Sequence, residues 1–206
     1  AMEGAMLSSL TGPMDLLRIA QTLSEVRDPG TPLRFEPVLV GARGQGQVQD
    51  ASGLGIGPVV SPDLALDLLL VPGYLHQSAG DAVRRLAGYG PEMELLRAMH
   101  LRGVPIVANC CSALMLAEAG LLDGHQATTS WWLDGVFRQR YPRVRLDVER
   151  MVVEDGGVTT TGASTAVMSF MLQWIGRVVG PELAQLAARM MLIDPDRQSQ
   201  APYISH

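Results

Sequence analysis

Cys110 and Cys111 are the only cysteines in the chain, and they sit side by side where one kind of sequence gives way to another. Val104 to Ala108 is a short, continuous apolar run, the pattern of a strand buried on both faces. With no spacer, it passes into Ala113 to Ala119, which reads as a helix. A strand that turns this sharply into a helix exposes the joint residue and points it across the helix N-terminus, where partial positive charge favours a thiolate. Ala108 and Ser112 are small, as the crowding of a nucleophile-elbow turn requires. The plainer reading makes both cysteines buried packing residues, since free Cys is among the most buried residue types. A third reading is a thiol redox sensor, because an accessible thiol of low pKa oxidises selectively. Neighbouring cysteines rarely satisfy disulfide geometry. Two cysteines without converging histidines also fall short of the four ligands of a structural zinc site.

The elements that would position this joint can be read in order. A helix is expected from Thr11, with Pro13 and Asp15 in its first turn and Leu16, Leu17, Ala20 and Leu23 as its apolar stripe. Arg34–Val40 reads as a strand. The glycine-rich part, Gly41–Gly57, is better explained by hairpin turns than by phosphate binding. Asp67–Val71 reads as a second buried strand, ending in Pro72, Gly73 and Tyr74. Helices are expected at about 81–86 and 92–101. After the cysteines come a short strand, a helix to about Arg140, and strands at Val144–Val148, Met151–Val153 and Val158–Thr161, with a turn at Gly156 and Gly157. Ser164–Val179 and Glu182–Leu192 carry clear three-four apolar spacing. The polar tail from Asp194 reads as extended. Alternating strands and helices imply a mainly parallel sheet covered on both faces, a three-layer α/β/α sandwich of flavodoxin-like type. Ligands in such folds lie beyond the carboxyl ends of the strands, so Gly73-Tyr74 and Cys110-Cys111 are expected at one edge.

Composition narrows the function classes. The chain has 206 residues, 47% hydrophobic and 18% charged, with a net charge of −5. That is enough for one domain with a proper core. No apolar run reaches the ~20 residues of a membrane span. No basic cluster suits the chain to gripping nucleic acid by itself. Unbridged cysteines make a reducing, cytoplasmic setting the default expectation.

Several segments carry a family likeness. Ala117-Glu-Ala-Gly-Leu-Leu-Asp-Gly124, then Ala127-Thr-Thr-Ser-Trp131 and Tyr141-Pro142, resemble the class I glutamine amidotransferase-like superfamily, PfpI branch. Within it the chain is most similar to the N-terminal domain of AraC-family regulators of the GlxA type. Thr11-Gly-Pro-Met-Asp15, Val71-Pro-Gly73 and Asp196-Arg-Gln-Ser-Gln-Ala-Pro-Tyr203 fit the same pattern. The resemblance implies a sensor and dimerisation domain over residues 1–194. Residues 195–206 would then open a linker to a helix-turn-helix DNA-binding domain outside this chain. It also implies a homodimer, an unidentified small-molecule ligand and no cofactor, metal or membrane partner. The family's first strand would precede Glu3-Gly4.

By the same resemblance Cys110 takes the nucleophile position, used by cysteine-dependent hydratases and amidohydrolases together with a carboxylate and often a histidine. The carboxylate position falls on Ser9, the histidine of the Thr-Thr-x-Trp segment on Ser130, and the residue after the nucleophile is Cys111. None is a base at neutral pH. The expected reading is therefore a vestigial nucleophile in a binding pocket formed by Ser9, Gly73, Tyr74, His76, Cys110, Cys111, Ser130 and Trp131. Backbone N–H groups near Gly73 and Cys111 would act as an anion nest. His76 is the one imidazole placed to approach the thiol. His100 suits a helix C-terminus and His125 a turn.

Overall fold

The computed structural model describes residues 1–31, 33–44 and 46–204; Ser205 and His206 of the expected linker lie outside the described residues. Among the described residues, eight strands and seven α-helices follow one another as α1 (Ser8–Arg27), β1 (Gly46–Gln49), β2 (Gly55–Val59), β3 (Leu69–Val71), α2 (Ala79–Arg85), α3 (Gly90–Leu101), β4 (Ile106–Asn109), α4 (Ser112–Glu118), β5 (Gln126–Ala127), α5 (Asp134–Arg140), β6 (Arg145–Leu146), β7 (Val152–Asp155), β8 (Val158–Thr161), α6 (Ala166–Val179) and α7 (Pro181–Met190).

The central sheet has the order β3-β4-β8-β7. β3, β4 and β8 run parallel, and β7 turns back antiparallel on β8 through Gly156 and Gly157, both at positive φ. β4 is buried at every position, as a central parallel strand with both faces covered must be. Its side chains divide between two cores. Ile106 and Ala108 join Leu96, Met99, Leu114, Leu116 and Phe137, from α3, α4 and α5. Val107 joins Leu16, Phe170, Met171, Ile175 and Leu183, from α1, α6 and α7. The alternation of one strand therefore defines the three layers, and the α/β/α architecture read from the sequence is the one observed.

Several expectations need correction. Arg34–Val40 is not a strand; only Val40 makes a bridge, to Val60. β3 ends the sheet, and a cleft of about 600 Å³, lined in part by Leu39, Leu66, Leu68, Leu70, Met171 and Trp174, separates it from this segment. With no strand alongside, the backbone takes other partners. The Phe35 N–H donates to Gln21 Oε1 at 3.0 Å, and the Leu39 carbonyl accepts from the Val60 N–H at 2.8 Å. The first helix also begins earlier than expected, at Ser8, so Pro13 lies inside it rather than in its first turn. The strands expected at Val144–Val148 and Met151–Val153 shrink to Arg145–Leu146 and shift to Val152–Asp155. The tail is not wholly extended: Ala201–Tyr203 form a short 3-10 turn, and Arg150 and Ser199 make a bridge.

Phe170 is 2% exposed in the middle of α6. Phe170→Ala is predicted to cost about 3–5 kcal/mol by loss of burial plus a residual cavity. Urea unfolding checks this, and a loss below about 1 kcal/mol would contradict the packing described.

Candidate functional site

Three chain segments meet at the end of β4. The first is the β4–α4 joint. Cys110 has φ of 60°, a left-handed conformation that a non-glycine residue adopts at a cost of about 1–2 kcal/mol. Neighbouring groups hold it there. Its N–H donates to the Thr161 carbonyl at 3.1 Å, and its carbonyl accepts from Thr129 Oγ1 at 3.0 Å. Below it, Asn109 Oδ1 accepts from Thr161 Oγ1 at 2.8 Å and Asn109 Nδ2 donates to the Ser164 carbonyl at 3.0 Å. The sharp elbow expected from the sequence is thus present, tied to the loop after β5 and to the loop after β8.

The second segment is the turn after β3. A Cβ on Gly73 would stand 3.3 Å from the Cys110 Cβ, so only glycine fits without displacement. The Gly73 N–H donates to Ser9 Oγ at 3.2 Å, while the Ser9 hydroxyl donates to the Met6 carbonyl at 2.7 Å. Ser9 therefore acts as a buried tie between α1 and the glycine turn. The Tyr74 N–H reaches Cys111 Sγ at 3.3 Å, and the Cys111 thiol reaches the Tyr74 carbonyl at 3.2 Å. The Gly73 and Tyr74 amides, donors to which the anion nest looked, are thus already engaged within the chain. The Tyr74 side chain points into the core, 1% exposed, and its hydroxyl donates to the Ala82 carbonyl at 2.9 Å. Burial raises its pKa far above the ordinary value.

The third segment is Thr128 to Trp132. Ser130 Oγ lies 2.8 Å from Cys110 Sγ, both side chains being buried. The Trp131 and Trp132 rings meet edge to face at 5.5 Å, with Trp132 41% exposed. His76 stands between Trp132, at 6.4 Å, and Tyr74, at 6.3 Å between ring centroids. Its Nδ1 is buried without a hydrogen-bond partner, and burial lowers its pKa below the ordinary imidazole value. His76 makes no hydrogen bond to Cys110 among the described residues, and no carboxylate does either. Leu75 and Trp132 are exposed and His76 and Trp131 are partly buried, whereas Ser9, Cys110, Cys111 and Ser130 are buried. His125 is remote from this cluster, 3.3 Å from Asp155. Among the described residues no group of three or more His, Cys, Asp or Glu side chains converges to hold a metal.

The two thiols divide the electrostatic work. Hydrogen bonding from Cys111, then from the Ser130 hydroxyl and the Cys111 and Ser164 N–H groups, outweighs burial and lowers the Cys110 pKa to about 6. The Cys111 thiol donates to the Tyr74 carbonyl at 3.2 Å, so Ser130 Oγ at 2.8 Å is the firmer side-chain partner of the Cys110 sulfur. Burial, reinforced by the neighbouring sulfur, raises the Cys111 pKa well above the ordinary value. The arrangement can hold one thiolate at neutral pH, with neutral donors around it and no side-chain base hydrogen-bonded to it.

Reasoning from sequence did not find Thr129, Thr161, Asn109 or Ser164. Only Thr129 had a signal, its place in the Ala127–Trp131 motif. Thr161, Asn109 and Ser164 act through backbone or buried amide contacts that leave no spacing pattern.

A mainly parallel α/β/α sandwich with a left-handed cysteine at the strand–helix joint defines a flavodoxin-like domain of the cysteine-elbow type. The sequence matches the DJ-1/PfpI family over residues 10–177, and the chain belongs to that family. It is 29% identical over 197 residues to the HTH-type transcriptional regulator GbdR of Pseudomonas aeruginosa, covering 94% of this chain and 49% of that protein. It is 30% identical to the isonitrile hydratase of Pseudomonas putida, covering 86% of this chain and 69% of the enzyme. Among solved structures, a putative transcriptional regulator protein from Vibrio parahaemolyticus superposes with a TM-score of 0.74 at 21% identity, over 93% of this chain and 95% of that one. The chain thus spans about half the length of the regulator it matches.

Removing the Ser130 hydroxyl tests the origin of the thiolate. In the parent protein, alkylation of Cys110 should rise with pH through about 6. In Ser130→Ala the midpoint should move up by about one unit, the equivalent of one hydrogen bond at 1.36 kcal/mol per unit. A pH series of iodoacetamide labelling, with the adduct located by mass spectrometry, reads both midpoints. An unchanged midpoint would remove Ser130 from the account.

Proposed function

We propose that this chain is the ligand-sensing and dimerising domain of an AraC-type transcriptional regulator, with the cysteine elbow kept as the floor of a binding site. The observation that carries the reading is the ring of partners around Cys110. Ser130, Cys111 and backbone amides stabilise the thiolate, and the nearest imidazole is directed elsewhere. Turnover at a thiolate needs proton transfer to and from the substrate, which a positioned acid or base accelerates by about 10²–10⁴-fold. A serine hydroxyl at the thiolate supplies a hydrogen bond and no net proton capacity near pH 7. The likeness to a regulator along 94% of the chain supports the same reading.

In this reading a small polar metabolite, amide-like or otherwise nitrogenous, enters at the rim of His76, Trp131 and Trp132 and meets Cys110. Gly73, Tyr74, Ser9 and Cys111 shape the floor from beneath. Binding changes how two copies of the domain hold their attached DNA-binding units. Such a switch requires that the ligand bind one arrangement more tightly than the other. DNA contact is made by the remaining part of the full-length protein.

The second reading is a cysteine-dependent hydratase or amidohydrolase, favoured by the low pKa of Cys110 and by the likeness to isonitrile hydratase. The two separate in one set of measurements on the full-length gene product. The sensor reading predicts a dimer in sedimentation. It also predicts a rise in melting temperature with at least one compound of a nitrogenous-metabolite panel, operator affinity that changes with that compound, and no product. Product formation from an isonitrile or amide, abolished in Cys110→Ala with the fold intact, would establish the enzyme instead.

A further inference from the structure

Gln200 belongs to the tail motif 196–203, which neither the fold nor the thiol chemistry has yet accounted for. It is a polar side chain only 2% exposed, carried by a segment that leaves the last helix at Met190 and returns across the sheet edge. Its Nε2 faces carbonyl oxygens of Thr129 at 3.0 Å, Val148 at 3.0 Å and Arg150 at 3.2 Å, with Thr128 Oγ1 at 3.4 Å. Its Oε1 accepts from the Ala163 N–H at 2.7 Å. The carboxamide fills the space where a Cβ on Gly162 would stand, so a glycine there makes room for it. The backbone beside it is also seated: the Gln200 N–H donates to the Glu149 carbonyl at 2.7 Å and the Met151 N–H to the Gln198 carbonyl at 3.0 Å.

These partners matter because of what their neighbours hold. Thr129 is the residue whose hydroxyl supports the Cys110 carbonyl, and Ser130 is the one whose hydroxyl meets the Cys110 sulfur. Ala163 precedes Ser164, whose carbonyl accepts from Asn109 Nδ2 at 3.0 Å, directly behind the elbow. One amide from the tail therefore clamps both loops that close over the elbow. The Thr129 and Val148 carbonyls need a donor, the Arg150 carbonyl already having Thr128 Oγ1, and the Ala163 N–H needs an acceptor. Only an amide meets both requirements at once; a carboxylate of the same shape meets the second and opposes the first.

We propose that Gln200 is a positioning residue for the Cys110 site and that the seating of the 196–203 segment is thermodynamically linked to the state of the Cys110 sulfur. The link is reciprocal: whatever displaces the segment loosens the elbow's donors, and whatever enlarges the sulfur loosens the segment. Its use to move an attached unit rests on the regulator reading above, whereas the link itself does not.

Two measurements on the whole protein test it. First, the rate of iodoacetamide labelling at Cys110 is compared at pH 6 and pH 9 in the parent, Gln200→Glu and Gln200→Ala. The ratio of the two rates cancels any change in access and reports ionisation alone. In the variants it should fall about fivefold, as an upward shift of one pH unit produces. Second, the parent alkylated at Cys110 is digested briefly with trypsin. Cleavage after Arg197 is scored against cleavage after Arg143, whose side chain is 77% exposed. Alkylation should speed the Arg197 cut about fivefold or more, and this arm needs no variant to fold. A folded Gln200→Glu protein with the parental rate ratio would overturn the proposal. So would an Arg197 cut indifferent to the adduct. If the regulator reading failed while both measurements succeeded, the link would stand as a property of an enzyme.

Discussion

The structure depends on a single backbone constraint: Cys110 must hold a left-handed conformation between β4 and α4. That conformation is unfavourable for a side chain larger than glycine's hydrogen, so it persists only where surrounding bonds outweigh it. The Thr161 carbonyl, the Thr129 hydroxyl and the first turn of α4 supply those bonds. The register of β4 with β8 follows, because Asn109 must face Thr161 for its amide to bridge Thr161 and Ser164. The glycine at 73 follows as well, since the turned cysteine leaves no room for a Cβ opposite.

The same constraint explains the chemistry. A left-handed joint directs the sulfur toward the Thr128–Trp132 loop rather than into the core of the sheet. There it meets hydroxyl and amide donors, which stabilise a negative charge without carrying one themselves. The site is thus suited to keeping a thiolate, and among the described residues no side-chain base is hydrogen-bonded to it. In a relative where an imidazole or carboxylate stands in place of Ser130 or Ser9, the same elbow would have a base beside it.

Much of this was legible in the sequence. The continuous apolar run ending in small residues marked β4 and its elbow, because a strand buried on both faces leaves no polar position. The three-four spacing of α6 and α7 was equally direct. Arg34–Val40 misled because a strand-like run of residues does not require another strand alongside; here a cleft separates it from β3. The neighbours of Cys110 were legible as residue types and not in their orientation. Tyr74 and His76 are two positions apart, yet one side chain enters the core and the other lies between aromatic rings. Gln200 could not be read as part of the site at all. Its closest partners are backbone atoms, one of them 71 residues away, and no side-chain pattern records such a contact.

The central claim is that neutral donors, with no base, hold Cys110 as a thiolate. Titration of the ultraviolet thiolate absorbance, parent minus Cys110→Ala, measures it directly. The account predicts a single transition centred near the value of about 6 set by those donors. A transition at the ordinary thiol value of about 8.5 would contradict it.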